Sequence, residues 1–362
     1  MKNLLQALVL LVSTTLNAQF HQSEKFDLVK PSHYMCYKIE VDLNIDGELN
    51  EDEWALAPWS ELFVDIEGRD KELPSQDTRL KMLYNQEFVY FAFEIKEKHI
   101  WASIEERDAV IYLDNDIEIF IDANGDTHNY LELELNALNT VWDLFLAKPY
   151  REGGPILNEF NFKDLQTAIK INGTLNDPSD EDESWIVEVA IPWSNIISTN
   201  TPKRVPEQGE SMRMNFSRVQ WQTEVVDGKY VKKINPETGR TFRENNWVWS
   251  PTGKIDIHRP EYWGIVTFTE EFELDNFDKY YISDIEELRQ YLSHLYKRQK
   301  AFLSRKGRYA ENLQELGANE FMIRKYNLRM GVMAYSFEIV GTNSLYKKTF
   351  MTNQEGQIKS IK

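Results

Sequence analysis

The densest set of chemically useful side chains lies in the stretch 107–143, on two runs that alternate with the period of a strand. In the first, Ile117, Ile119 and Ile121 point one way, and Asp116, Glu118, Phe120 and Asp122 the other. In the second, Leu131, Leu133 and Leu135 oppose Glu132, Glu134 and Asn136. The turn Ala123-Asn124-Gly125-Asp126 separates them, with Asn-Gly as a hairpin signal. One face thus buries branched apolar side chains. The second carries five acids, an amide and no base. Two readings stay open: a solvated sheet face, or an acceptor-rich groove for a cation or a polyhydroxylated ligand.

Other chemistry can be weighed from spacing. Calcium takes about six to eight oxygens. Asp122, Asn124 and Asp126 alternate in a glycine-containing turn like the start of a calcium loop, although Leu133 stands where the closing glutamate would fall. A hairpin tip explains the same residues, and Asp42, Asp46 and Glu48 form a weaker second set. A glycoside hydrolase needs two carboxylates ~5–10 Å apart across a cleft, and in so acidic a chain pairs arise by chance. No phosphate loop, serine elbow or HExxH is present, and the six histidines, His21, His33, His99, His128, His258 and His294, show no ligand spacing. A likeness to sandwiches that hold haem between strands would imply a methionine such as Met82, Met212 or Met214 with a lysine or a histidine such as His258 as axial ligands. Strand methionines more often fill core.

These residues must be positioned by a chain that reads as mostly β. Arg79 to Leu83 and Val89 to Ile95 form a hairpin, and strands follow at Val141–Ala147, Ala168–Gly173, Trp185–Ile191, Met212–Gln220, Trp247–Trp249 and Tyr262–Phe268. With a strand and turn at 41–48, the total of nine to eleven strands and little helix suits a sandwich of two antiparallel sheets. Residues 19–38 read as an irregular lead-in and 222–246 as a long loop. Beyond about 275, Ile285, Leu288, Leu292, Leu295 and Phe302 recur at helical spacing. A second short helix at 309–316 and three strands at 335–340, 346–352 and 357–361 would complete a small α+β domain over 275–362.

The chain has 362 residues, room for two domains at about 100–200 residues each. Its net charge of −18, from 59 acids and 41 bases, argues against nucleic acid and anionic membrane as partners. Met1-Lys2, an apolar run from Leu4 to Leu16 and a small residue at Ala18 read as an export signal over 1–18, too short to span a membrane. Cys36 is the only cysteine, so no internal disulfide forms. The expected location is a bacterial periplasm or the cell exterior.

Seven pieces in order carry a resemblance: IDGELNEDEWALA (45–57), TRLKMLYNQEFVYFAFEI (78–95), RDAVIYLDNDIEIFIDANGD (107–126), YLELELNALNTVWD (130–143), SWIVEVAIPW (184–193), RMNFSRVQW (213–221), and WVWSP with HRPEYWGIVTF (247–268). Over residues 39–270 the chain resembles the family 9 carbohydrate-binding modules. That resemblance implies an antiparallel β-sandwich of the jelly-roll type, sugar binding, structural calcium, and attachment to glycoside hydrolases. In that family two aromatic rings clamp a sugar. The matching positions here are Tyr112, Glu118 and Asn136, with His258 nearest the second aromatic; the expected base two residues before Asn136 is Glu134.

Sugar recognition independently wants an aromatic face and strong acceptors for hydroxyls. Tyr112, Asp116, Glu118 and Asn136 supply them, and Arg107 or Arg218 could donate. Trp221, Trp249 and Trp263 are further platforms or core. The expectation is a non-catalytic protein that captures a mono- or oligosaccharide for polysaccharide use, with a glycoside hydrolase or surface complex as possible partner. The alternative is an interaction module that has lost sugar binding.

Overall fold

Apolar alternation and hairpin turns account for most of the strands in the computed structural model, which describes residues 26–196, 204–270 and 282–361. The export signal expected over 1–18 lies outside those residues. The chain divides into one unit within Val29–Ile282 and a second made of the segment up to Leu28 with Ser283–Lys362.

In chain order the larger unit contains β1 (His33–Lys38), β2 (Val64–Asp65), β3 (Thr78–Tyr84), β4 (Phe88–Lys96), β5 (Asp116–Asp122), β6 (Tyr130–Asn136), β7 (Val141–Leu146), β8 (Ile156–Leu157), β9 (Gln166–Asn172) and β10 (Ser184–Pro192). After these come β11 (Ser211–Gln220), β12 (Thr223–Val226), β13 (Lys229–Lys232), β14 (Asn245–Val248) and β15 (Gly264–Thr269). Thirteen of them form one sheet in the order β8-β7-β6-β5-β11-β15-β1-β3-β4-β10-β9, with β14 joining β11 to β2. The sheet curls on itself. Phe216 of β11 meets Phe91 and Phe93 of β4 with ring centroids 5.7 and 5.8 Å apart, so the two arms face each other across one core. The result is an antiparallel β-sandwich whose layers are continuous through β1.

That bridging strand is a departure from the sequence reading. His33–Lys38, expected to be irregular, pairs in parallel with β15 on one side and β3 on the other. Its short, mixed run, HYMCYK, buries Tyr34 and Cys36 in the core but carries no clean apolar alternation to announce it. Conversely, residues 41–48 are not a strand. Asp46 and Gly47 donate their backbone N–H groups to Glu188 Oε2 at 3.1 and 2.9 Å, and Gly47 sits at φ 86°, so this segment turns to wrap Glu188. The long loop expected at 222–246 contains the separate hairpin β12–β13.

Turn chemistry fixes the registers. Asn85 Oδ1 accepts from the N–H groups of Glu87 and Phe88, both at 2.8 Å, and closes the β3–β4 hairpin. The β5–β6 hairpin places Glu118 directly opposite Glu134, and β6–β7 places Glu134 opposite Trp142. On the other flank Ser217 of β11 pairs with Glu118. Every residue of β5 and β6 is buried, on both faces. The acid-bearing face is therefore covered, and the solvated-face reading does not hold.

The second unit has α1 (Ser283–Lys306), α2 (Glu320–Lys325) and a four-stranded antiparallel sheet of β16 (Arg329–Val332), β17 (Phe337–Asn343), β18 (Lys348–Asn353) and β19 (Ile358–Ile361). Leu288, Leu292 and Leu295 of α1 pack with Ile339, Phe350 and Ile358, and Phe26 meets Tyr291 edge-on at 5.0 Å. The short helix expected at 309–316 is a series of turns. The helix forms instead at Glu320–Lys325, where Asn319 accepts from Phe321 N and Met322 N and caps it. The sheet has one strand more than expected, β16.

Close packing around β15 gives a test of the sandwich. A Cβ on Gly264 would sit 2.1 Å from Trp249 Cζ3, and Trp249 is itself buried against Phe216. Gly264→Ala should cost about 1–3 kcal/mol through overpacking, read as a lowered urea midpoint. An unchanged midpoint would show that Trp249 moves aside freely.

Candidate functional site

The covered face of β5, β6 and β7 forms the floor of a cavity of about 400 Å³. Leu144 and Leu146 line its apolar part and pack with Phe120, Tyr130 and Trp263 behind them. Its upper part is acidic, with Glu118, Glu132 and Glu134 lining the space. The walls come from four places distant in sequence: Tyr112 on the turn before β5, Tyr150 and Arg151 after β7, Arg243, Glu244 and Asn246 at the start of β14, and Ile255 to His258 before β15.

Aromatic rings flank the space. Tyr112, 41% exposed, lies 6.4 Å from Trp142 between centroids with the rings 30° apart. Tyr150 meets His258 edge-on at 4.6 Å. The half-buried His258 shares a 2.8 Å hydrogen bond with the Tyr130 hydroxyl. Burial first, and Arg151 second, push its pKa down to about 3, so the ring is neutral over the ordinary pH range. Arg151 is held by Asp256 at 3.3 Å and donates to the Ile255 carbonyl.

The acids are the unusual part. Glu134 Oε2 accepts from Tyr112 N at 3.0 Å and so holds the turn that presents the Tyr112 ring. Asp116 Oδ1 accepts from Val219 N at 3.2 Å, while Asp116 Oδ2 and Glu132 Oε2 are buried without a partner. None of these four carboxylates forms an ion pair among the described residues. Burial, reinforced by the neighbouring acids, raises all four pKa values: Glu118 to about 7, Glu132 to about 8, and Asp116 and Glu134 well above their ordinary range.

The structure brings Tyr112, Glu118 and His258 to one cavity. Asp116 lies beside it on the same strand face. Asn136 is elsewhere: its amide donates to the Ile104 carbonyl and Asp114, and its oxygen accepts from Leu138 N and Thr140 N, so it ties loops together. Arg107 is also outside, bonded to Asp143 at 2.5 Å and Asn161 at 3.1 Å. Arg218 is buried on the opposite face with Thr78, Gln220 and Glu97. Trp249 and Trp263 are core; Trp221, on the edge of a separate cluster, carries Lys232 Nζ 3.4 Å from its ring centre.

The hairpin tip was expected to offer calcium ligands. Asp122 accepts from Gly125 N and Thr127 N, Asn124 Oδ1 from Asp126 N, and Asp126 from His128 N and the Asn124 amide. Each of these side-chain oxygens accepts a hydrogen bond from within the loop, so the three residues close the turn.

Glu132 was read as part of the acidic face, whereas Trp142, Tyr150, Arg151 and Arg243 were missed from the sequence. Glu132 and Trp142 had a signal, since both continue the face of Glu134 by strand alternation and register. The loop residues had none, because only the curl of the sheet brings them over β6.

The raised carboxyls predict a pH dependence. A carboxyl with a raised folded pKa binds its proton more tightly in the folded chain. Stability from Glu118 and Glu132 is then fullest below the ordinary value of 4.5 and is lost as pH rises through about 7 to 8. In chelator-treated buffer the melting temperature should fall by about 5 °C between pH 5 and 8, and Glu132→Gln should flatten that slope. Identical slopes for the two proteins would rule out Glu132 as a contributor.

A family model described as carbohydrate family 9 binding domain-like matches residues 45–271. Among solved structures, similarity is found to a candidate carbohydrate-binding protein from Bacteroides uniformis ATCC 8492, at 15% identity and TM-score 0.47, covering 66% of this chain and 100% of that one. A carbohydrate binding module family 9 from Caldicellulosiruptor kristjanssonii is similar in its complex with cellotriose, at 15% identity and TM-score 0.42 over 68% of this chain and 97% of that one. In its complex with glucose the figures are 15%, 0.43, 66% and 97%. No curated protein matches the chain in sequence.

Proposed function

Because the chain belongs to the carbohydrate family 9 binding domain-like family, we propose that it binds a mono- or oligosaccharide end in the cavity over β5–β7, without catalysing its cleavage. One observation carries this reading: a single cavity in which aromatic rings flank a set of carboxylates. Rings stack on the C–H faces of a pyranose, and carboxylates accept from its hydroxyls more strongly than neutral groups do. Tyr112 and Trp142 would form one wall, Tyr150 and His258 the other. Glu118, Glu132 and Glu134 would take hydroxyls, and Arg151 or Arg243 would donate to ring or hydroxyl oxygens. The volume suits one or two sugar units.

On this reading the protein works outside the cytoplasm, capturing glycan for polysaccharide breakdown. A glycoside hydrolase or a surface complex is the natural partner for such a role. The second unit, with its own core, is a candidate for that contact.

Titrating the chain with a panel that includes glucose and cellotriose, followed by Trp fluorescence and calorimetry, tests the proposal. One sugar class should bind saturably. Tyr112→Ala and Trp142→Ala should each weaken it about tenfold or more, as expected for losing a stacking wall worth about 1.5 kcal/mol. Absence of binding across the panel, with the fold intact, would favour an interaction module. Release of reducing sugar would point to hydrolysis instead.

A further inference from the structure

Asp116, Glu118 and Glu134 can each place one carboxylate oxygen so that all three lie within 4.8 Å of one another. Oxygens bound to one calcium ion at about 2.3–2.6 Å stand at most roughly 5 Å apart. The trio therefore fits within a single coordination sphere. It is composed of hard oxygen donors, the type that selects calcium or magnesium over zinc or copper. Strand geometry enforces the grouping: Glu118 and Glu134 are cross-strand partners, and Asp116 is two residues along the same face as Glu118.

A separate residue points to the same place. Glu132 is outside the trio, lines the cavity, is 4% exposed, and leaves Oε2 without a partner. A buried carboxylate oxygen with nothing to accept is costly. Among the described residues no lysine or arginine pairs with any of the four, so carboxylates crowded this closely call for a proton or for a cation from the cavity. A divalent ion would offset two of these charges at one point while three acids hold it together.

We propose that the floor of the cavity binds one calcium-class cation through Asp116, Glu118 and Glu134, with Glu132 beside it, and that the cavity side of the ion receives vicinal hydroxyls of the sugar. The cation site stands on these residues alone; the hydroxyl contact rests on the carbohydrate reading above.

The experiment is calcium titration of the metal-free full chain at pH 7 without sugar, by calorimetry, followed by sugar titration with and without calcium. One saturable calcium site per chain is expected. It should weaken more than about tenfold in Glu134→Gln and in Asp116→Asn, while Asn124→Ala at the hairpin tip retains it. Melting curves in chelator establish that each variant is folded. Failure to bind calcium, or binding lost in Asn124→Ala and kept in both acid variants, would overturn the cation site. Sugar binding indifferent to calcium, in a protein that takes up the ion, would overturn the hydroxyl contact. Calcium uptake with no sugar binding at all would uphold the cation site and remove the carbohydrate reading. An amino sugar binding far more tightly than its neutral counterpart, with no calcium uptake, would mean that an ammonium group neutralises the acids.

Discussion

Like charges placed side by side in a dry environment have to be neutralised, and the central strands of this sandwich are built around that constraint. Glu118 and Glu134 face each other across β5 and β6, with Asp116 and Glu132 alongside, all buried. The opposite face of the same strands is an unbroken apolar surface of Ile117, Ile119, Ile121, Leu131, Leu133 and Leu135 in the main core. Because side chains alternate strictly, a one-residue slip would drive the acids into that core. The apolar face thus fixes the register, and the register sets the carboxylates opposite one another. The cost of holding them together is met by core packing on the far side of the sheet.

The rest of the fold serves to cover that face without filling it. The curl of the sheet through β1 lets loops from four parts of the chain arch over β6. Trp263, pressed against Phe120 and Tyr130 and donating to the Ile257 carbonyl at 2.7 Å, anchors the segment that carries His258. Glu134 in turn anchors the turn carrying Tyr112. The walls that carry Tyr112 and His258 are therefore tied to the floor by a hydrogen bond and by packed rings, which favours a largely pre-formed site.

Much of this was legible in the sequence where the information is local. Period-two alternation gave β5, β6 and both their faces, and the Asn-Gly turn gave their hairpin. Tyr112, Glu118 and His258 follow from matching an ordered set of motifs. What was not legible depends on closure in space. Asn136 has the right type and the right face, yet the end of its strand meets the loops at Ile104 and Thr140, which use up its amide. Arg107 is close in sequence to the site, but Asp143 and Asn161 draw it away. β1 escaped because its hydrogen-bond partners, β15 and β3, lie far along the chain. The hairpin β12–β13 escaped because its side chains stay largely exposed and show no buried stripe.

Glu134, at the position where the family resemblance led to the expectation of a base, gives this cavity its own chemistry. A base opposite Glu118 would form an ion pair and leave a neutral, hydrogen-bonding floor. With Glu134 there, the pair instead becomes a concentrated acceptor that is neutral only when protonated or when it holds a cation. The same residue gives Tyr112 N its acceptor, so the aromatic wall and the acidic floor are coupled through one side chain. Ligand preference in this chain should therefore follow the charge state of the floor as much as the shape of the aromatic walls, a dependence that a clamp of two aromatic rings alone would not show.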